Sequence, residues 1–245
     1  EQIQIGLLLF NDGVGRRYIL SGEGSADITD ERTEFRMGGD YESHWIAGSD
    51  DDAEFAYMHT LLREITPETM QLSAGRVRGL IECGVSTPVA MMCPASGDHR
   101  ALHEAALWEY PGMILAWDND RRCFTSLLAG DDVVKSEVEL PFSTPWRTII
   151  VGDRAGTLVE SNLVLNLNEP CRLEDTSWIK PMKYVGVWWE MHLKVSIWDM
   201  DGKYPHCATT ENVKRYIDFA AENGFGGVLV EGWNVGWGWG EKFDY

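Results

Sequence analysis

Two short stretches late in this 245-residue chain set acids beside indoles: Trp188-Trp189-Glu190 and Glu231-Gly232-Trp233-Asn234. Each closes an apolar run, and the C-terminal ends of parallel strands are where α/β folds gather side chains on one rim. Carboxylates there handle protons or bind hydroxyls, while flat indole rings stack on the C–H faces of a pyranose. Seven of the eleven tryptophans lie between Trp178 and Trp239. The same aromatics also read as packing for the wall of an α/β fold. On neighbouring strands Glu190 and Glu231 would fall within the carboxyl separations used to cleave a glycosidic bond. A complete barrel would bring six more strand ends, each able to supply an acid, so the pair is not assigned as acid and base.

The densest run of hard oxygen ligands is Asp50-Asp51-Asp52, with Glu54 after it. Such oxygens suit Ca²⁺, but the run lacks the glycine and the ligand spacing of an EF-hand loop, and a solvated acidic turn explains it as well. His103-Glu104 is a polar pair among apolar neighbours, read as a satisfied hydrogen-bonding pair rather than a site.

The elements that must position these residues change character along the chain. Up to about Ile179 short β-rich runs alternate with turns such as Asn11-Asp12-Gly13, Gly38-Gly39-Asp40 and Asp131-Asp132, the texture of an antiparallel β-sandwich. Trp146 to Val151 is predicted as a strand ending at Gly152-Asp153. From Glu54 to Leu62 both a period of two and a helical spacing can be drawn, so pattern leaves that stretch open. After Pro181 the run Tyr184 to Trp189 has the form of a strand buried on both faces. Thr209-Thr210 offers an N-cap, and Val213, Tyr216, Ile217 and Ala220 fall on one helical face. Asn223-Gly224 stops that helix, and Gly227 to Val230 follows as a second strand. The β-α-β order makes the two strands parallel.

Composition limits the partners. Lys and Arg number 21 against 39 Asp and Glu, a net charge of −18, which repels phosphate backbones and anionic surfaces and argues against nucleic acid. Residues 183–245 hold 6 basic and 9 acidic side chains, so most of the negative charge lies upstream. No apolar run approaches the ~18 residues of a membrane span. No signal peptide is legible at Glu1. Five scattered cysteines without a C-x-x-C pair argue against a disulfide framework or a structural zinc site. Nothing here fixes an oligomeric state.

Longer stretches are more specific. Lys183-Tyr-Val-Gly-Val-Trp-Trp-Glu-Met191, the segment from Ala208 to Phe225, and Val228-Leu-Val-Glu-Gly-Trp-Asn234 resemble the first β-α-β unit of glycoside hydrolase family 97. Phe10-Asn-Asp-Gly13, Leu102-His-Glu-Ala-Ala-Leu107, Thr144 to Val151 and Leu165 to Cys171 resemble the N-terminal sandwich of the same family. The resemblance implies a β-sandwich over 1–181, incomplete at its start, followed over 182–245 by the beginning of a (β/α)8 TIM barrel. It implies an α-glucosidase or α-galactosidase acting on oligosaccharides, Ca²⁺ in the active site, and a periplasmic or secreted location. Glu54 matches a sandwich carboxylate that binds the calcium, Trp188 a position that stacks on substrate, and Glu231 an acid at the second strand end. Glu54 to Leu62 then reads as strand or loop. A loop near Gly75 to Val77 should approach the sugar, but the sequence departs from the family pattern there. It departs also at Gly226, Cys207 and Trp237 to Gly240. The general acid and the base or nucleophile come from strands beyond Tyr245, so this chain alone is expected to be inactive. The alternative is a non-catalytic carbohydrate-binding β-sandwich module.

Overall fold

The structure, a computed structural model, describes residues 2–49, 53–74, 80–130, 132–196 and 207–230. It divides into two compact units, Glu1–Cys171 and Arg172–Tyr245. The division falls about ten residues before the Pro181 expected from sequence. Residues 172–183 are exposed and have no regular structure.

The first unit begins with strands β1 (Gln2–Phe10), β2 (Gly13–Ile28), β3 (Glu34–Arg36), β4 (Glu42–Trp45), β5 (Ala47–Ser49) and β6 (Met58–Leu61), then helix α1 (Pro67–Ala74). Strands β7 (Leu80–Ser86), β8 (Val89–Met92), β9 (His99–Ala105), β10 (Met113–Asp118), β11 (Cys123–Leu128), β12 (Ser136–Ser143) and β13 (Trp146–Gly152) follow. Two short helices, α2 (Ala155–Glu160) and α3 (Leu163–Leu167), close the unit. One sheet runs β1-β2-β13-β9-β8-β4-β6 with β12 also paired to β2, and the other runs β3-β11-β10-β7-β5. Every pairing in both is antiparallel.

The sandwich follows from alternation along the strands. Trp45, Val89, Met91 and Leu102 from the larger sheet meet Val85, Met113, Leu115, Trp117 and Phe124 from the smaller in one buried core. The opposite face of β13 and β9 carries Trp146, Ile150, Ala101 and Ala105, which pack on Leu163 and Leu167 of α3. The Asn11-Asp12 turn brings β1 back along β2, and Gly13 sits so close to β13 that a Cβ there would lie 2.2 Å from the Ile149 carbonyl oxygen.

The open stretch after Asp52 resolves as loop then strand: Ala53 to Tyr57 has no regular structure, and β6 begins at Met58. Asp50-Asp51-Asp52, Gly75 to Val77 and Asp131 lie outside the described residues.

The second unit contains β14 (Tyr184–Gly186), a single turn α4 (Trp189–His192), helix α5 (Thr210–Glu222) and β15 (Gly227–Leu229). The strands pair in parallel, Tyr184 with Gly227 and Gly186 with Leu229. As expected, the Thr209 hydroxyl caps α5, accepting from the Asn212 N–H, and Gly224 ends it in the left-handed region. The first strand is shorter than the apolar run suggested. Its chain turns at Val187, which is fully buried, and Trp188 and Trp189 enter a helical turn instead of extending the sheet. Tyr184 is exposed and Val185 only half-buried, so this strand is not covered on both faces.

Candidate functional site

Trp188 stands two residues beyond the end of β14, at the N-cap of α4. Its indole lies against the backbone of Gly186, where a Cβ would come within 2.6 Å of Trp188 Nε1. Two further rings hold its edges: Trp189, with centroids 5.1 Å apart and planes at 84°, and His192, at 4.9 Å and 82°. Such edge-to-face contacts fix a ring's plane as well as its place. Trp189 itself is exposed, so an aromatic surface reaches solvent at this strand end.

Glu190, tempting from sequence as half of an acid–base pair, is buried and already engaged. Its Oε1 accepts from Asn212 Nδ2 at 3.2 Å, from an Arg215 guanidinium nitrogen at 3.0 Å and from the Tyr216 hydroxyl at 3.0 Å. Burial, and then the hydrogen bond to the Glu190 carboxylate, push the Tyr216 phenol up to about 12, so it remains a donor at physiological pH. A cavity of about 420 Å³ adjoins these groups, lined by Glu190, Ser196, Cys207, Thr209, Asn212 and Arg215 among others. Glu231, the expected acid at the second strand end, lies outside the described residues.

In the first unit Glu54 sits exposed in the loop that leads into β6. Sequence fixes that loop through its neighbours. Phe55 packs against the core, the Ala56 N–H donates to the Ser73 carbonyl at 3.1 Å, and the Ser73 hydroxyl donates to the Ala56 carbonyl at 2.8 Å. Glu54 is therefore a hard oxygen donor on an anchored loop. Ca²⁺ takes about six to eight oxygens, and among the described residues no cluster of three or more His, Cys, Asp or Glu could hold a metal. Glu54 by itself does not make such a set. All five cysteines are free.

A buried ionic cluster escaped the sequence reading. Arg147, 1% exposed, donates through Nε and one terminal nitrogen to the two oxygens of Glu31 at 2.8 and 2.7 Å, and through the other to Glu104 at 2.5 Å. Thr33 and Tyr110 hydroxyls also donate to Glu31, and the Met113 N–H to Glu104. Burial raises the Glu31 carboxyl, but the Arg147 hydrogen bonds and charge outweigh it and hold Glu31 below its ordinary value. Glu104 goes the other way, because burial dominates its single Arg147 bond. His103, its neighbour in sequence, faces the opposite side of β9, and its Nδ1 has no hydrogen-bond partner among the described residues. Successive strand residues point apart, so the His103-Glu104 pair is no pair.

The family model of the glycosyl-hydrolase 97 N-terminal domain matches residues 1–170. The chain belongs to glycoside hydrolase family 97. The family's glycoside hydrolase 97 model matches residues 188–245 as well, so the two matches meet the two units in order. A solved family 97 enzyme from Pseudoalteromonas sp. strain K8, in complex with acarbose, is 37% identical with a TM-score of 0.75, over 96% of this chain and 33% of that one. A probable retaining α-galactosidase of Streptomyces bingchenggensis is 29% identical over 91% of this chain and 30% of its own length. A retaining α-galactosidase of Bacteroides thetaiotaomicron is 25% identical over 92% and 36%. The chain thus spans about a third of the length of the curated relatives it matches. No helix among the described residues is long and apolar enough to cross a membrane.

Proposed function

We propose that the complete protein is a calcium-dependent glycoside hydrolase that cleaves α-glucosides or α-galactosides of oligosaccharides in the periplasm or outside the cell. The 245 residues supply its sandwich and the opening of a (β/α)8 barrel, of which β14, α5 and β15 are the first β-α-β unit. The observation that carries this reading is the parallel strand pair with Trp188 held at the end of its first strand, in a chain matched to the family along both units.

In this reading Trp188 stacks on a sugar face, Glu231 accepts from its hydroxyls, and Glu54 gives one oxygen to the calcium ion. The ion, when bound, polarises the site. Glu190 is given no proton-transfer role in this reading, because three donors already converge on its Oε1 and tie it to α5. The general acid and the base or nucleophile lie beyond Tyr245, so the 245-residue chain has no turnover of its own. The test is hydrolysis of aryl α-glucoside and α-galactoside by the complete enzyme, with calcium and with a chelator. Loss of activity on chelation and recovery with calcium support the reading. Activity indifferent to both overturns the calcium part of it.

A further inference from the structure

We propose that Glu190 is the positioning residue for Trp188: its buried carboxylate ties the single turn α4 to helix α5 and so fixes the indole at the end of β14. This rests on the reading of Trp188 as the sugar-stacking residue.

A helical turn of four residues does not hold itself together, since nucleation costs more than one turn of hydrogen bonds returns. α4 is such a turn, and it carries Trp188 at its N-cap and both of the rings, Trp189 and His192, that set the plane of Trp188. What fastens it is Glu190. The Glu190 backbone N–H donates to the Val187 carbonyl at 3.1 Å, and its carbonyl accepts from the Val195 N–H at 2.8 Å. Its side chain then crosses to the N-terminal half of α5 and takes the three donors of Asn212, Arg215 and Tyr216 on Oε1. Asn212 is itself fixed, since Nδ2 also donates to the Cys207 carbonyl and its backbone N–H reaches the Thr209 cap. Arg215 is largely exposed, so its ion pair is screened, and most of the hold comes from the Asn212 and Tyr216 bonds. Those two need an acceptor oxygen at Oε1 and do not need its charge. A glutamine at 190 can provide that oxygen; an alanine cannot.

Two indoles 5.1 Å apart with planes near perpendicular couple their transitions, which gives a circular-dichroism couplet that reads the placement of Trp188 without any substrate. The couplet is assigned in the complete enzyme by its loss in Trp189→Phe. In Glu190→Ala we expect the couplet to vanish and KM for the aryl α-glycoside to rise about tenfold, the loss of one aromatic contact, with kcat changed much less. Glu190→Gln should recover both. If Glu190→Ala does not fold, Tyr216→Phe, which removes one donor and leaves the carboxylate, is read in the same way. A couplet that persists in these variants overturns the proposal, whatever happens to KM. So does a Glu190→Gln enzyme as impaired as Glu190→Ala. Loss of the couplet with KM unchanged upholds the positioning by Glu190 and overturns instead the assignment of Trp188 to the sugar.

Discussion

Trp188 owes its place to a residue with no side chain. Because a Cβ on Gly186 would lie 2.6 Å from Trp188 Nε1, Gly186→Ala must push the indole off the strand end. We expect that substitution to raise KM of the complete enzyme about as much as Trp188→Ala does. Removing the indole costs on the order of 1.5–3 kcal/mol of apolar contact, roughly tenfold to a hundredfold in KM. Steady-state kinetics on the aryl glycoside measures both. Glu54→Gln should weaken calcium binding by the complete enzyme at least about tenfold by calorimetry, since a neutral amide replaces a charged ligand. Glu54 and Trp188 were legible as residue types in a suggestive setting. Glu190 was legible only as an acid, because what decides its role are donors 22 to 26 positions further on, brought to it by the fold.

Among the elements, the sandwich carries its own test in the Arg147 cluster. Arg147→Met leaves Glu31 and Glu104 buried without their cation and should destabilise the sandwich by about 3–5 kcal/mol in denaturant unfolding. With Arg147 in place the two acids act in opposite directions with pH. Glu31, held below its ordinary value, contributes stability that is present above the unfolded carboxyl value near 4.5 and is lost as pH falls through its lower folded value. Glu104, held above, favours the fold below that ordinary value and loses its contribution as pH rises through the raised one. Glu104→Gln should therefore flatten the loss of stability on the upper side of pH 4.5, while Glu31→Gln weakens the sandwich at neutral pH. Pattern was enough for α5, with its cap, helical face and glycine stop, and for β13, a β-rich run ended by Gly152-Asp153. It failed at Tyr184 to Trp189, because an apolar run reads alike as a buried strand and as a strand that turns into a packed helical turn. It could not show the Glu31–Arg147 pair at all, since 116 positions separate the partners.

For the whole molecule, charge and exposed apolar surface pull in opposite directions. A net charge of −18 keeps copies apart. Yet β1 is an edge strand with Ile3, Ile5, Leu7 and Leu9 more than half exposed along one face. We expect the 245-residue chain to associate as salt screens that charge, seen as a rising sedimentation coefficient, and Ile5→Lys to reverse it. The central claim concerns the larger protein, and one assay reaches it most directly: purified complete enzyme against aryl α-glucoside and aryl α-galactoside, beside the 245-residue chain under the same conditions. We expect the complete enzyme to hydrolyse at least one of them and the 245-residue chain neither. Failure of the complete enzyme to cleave either substrate with calcium present, or turnover by the 245-residue chain, would contradict it.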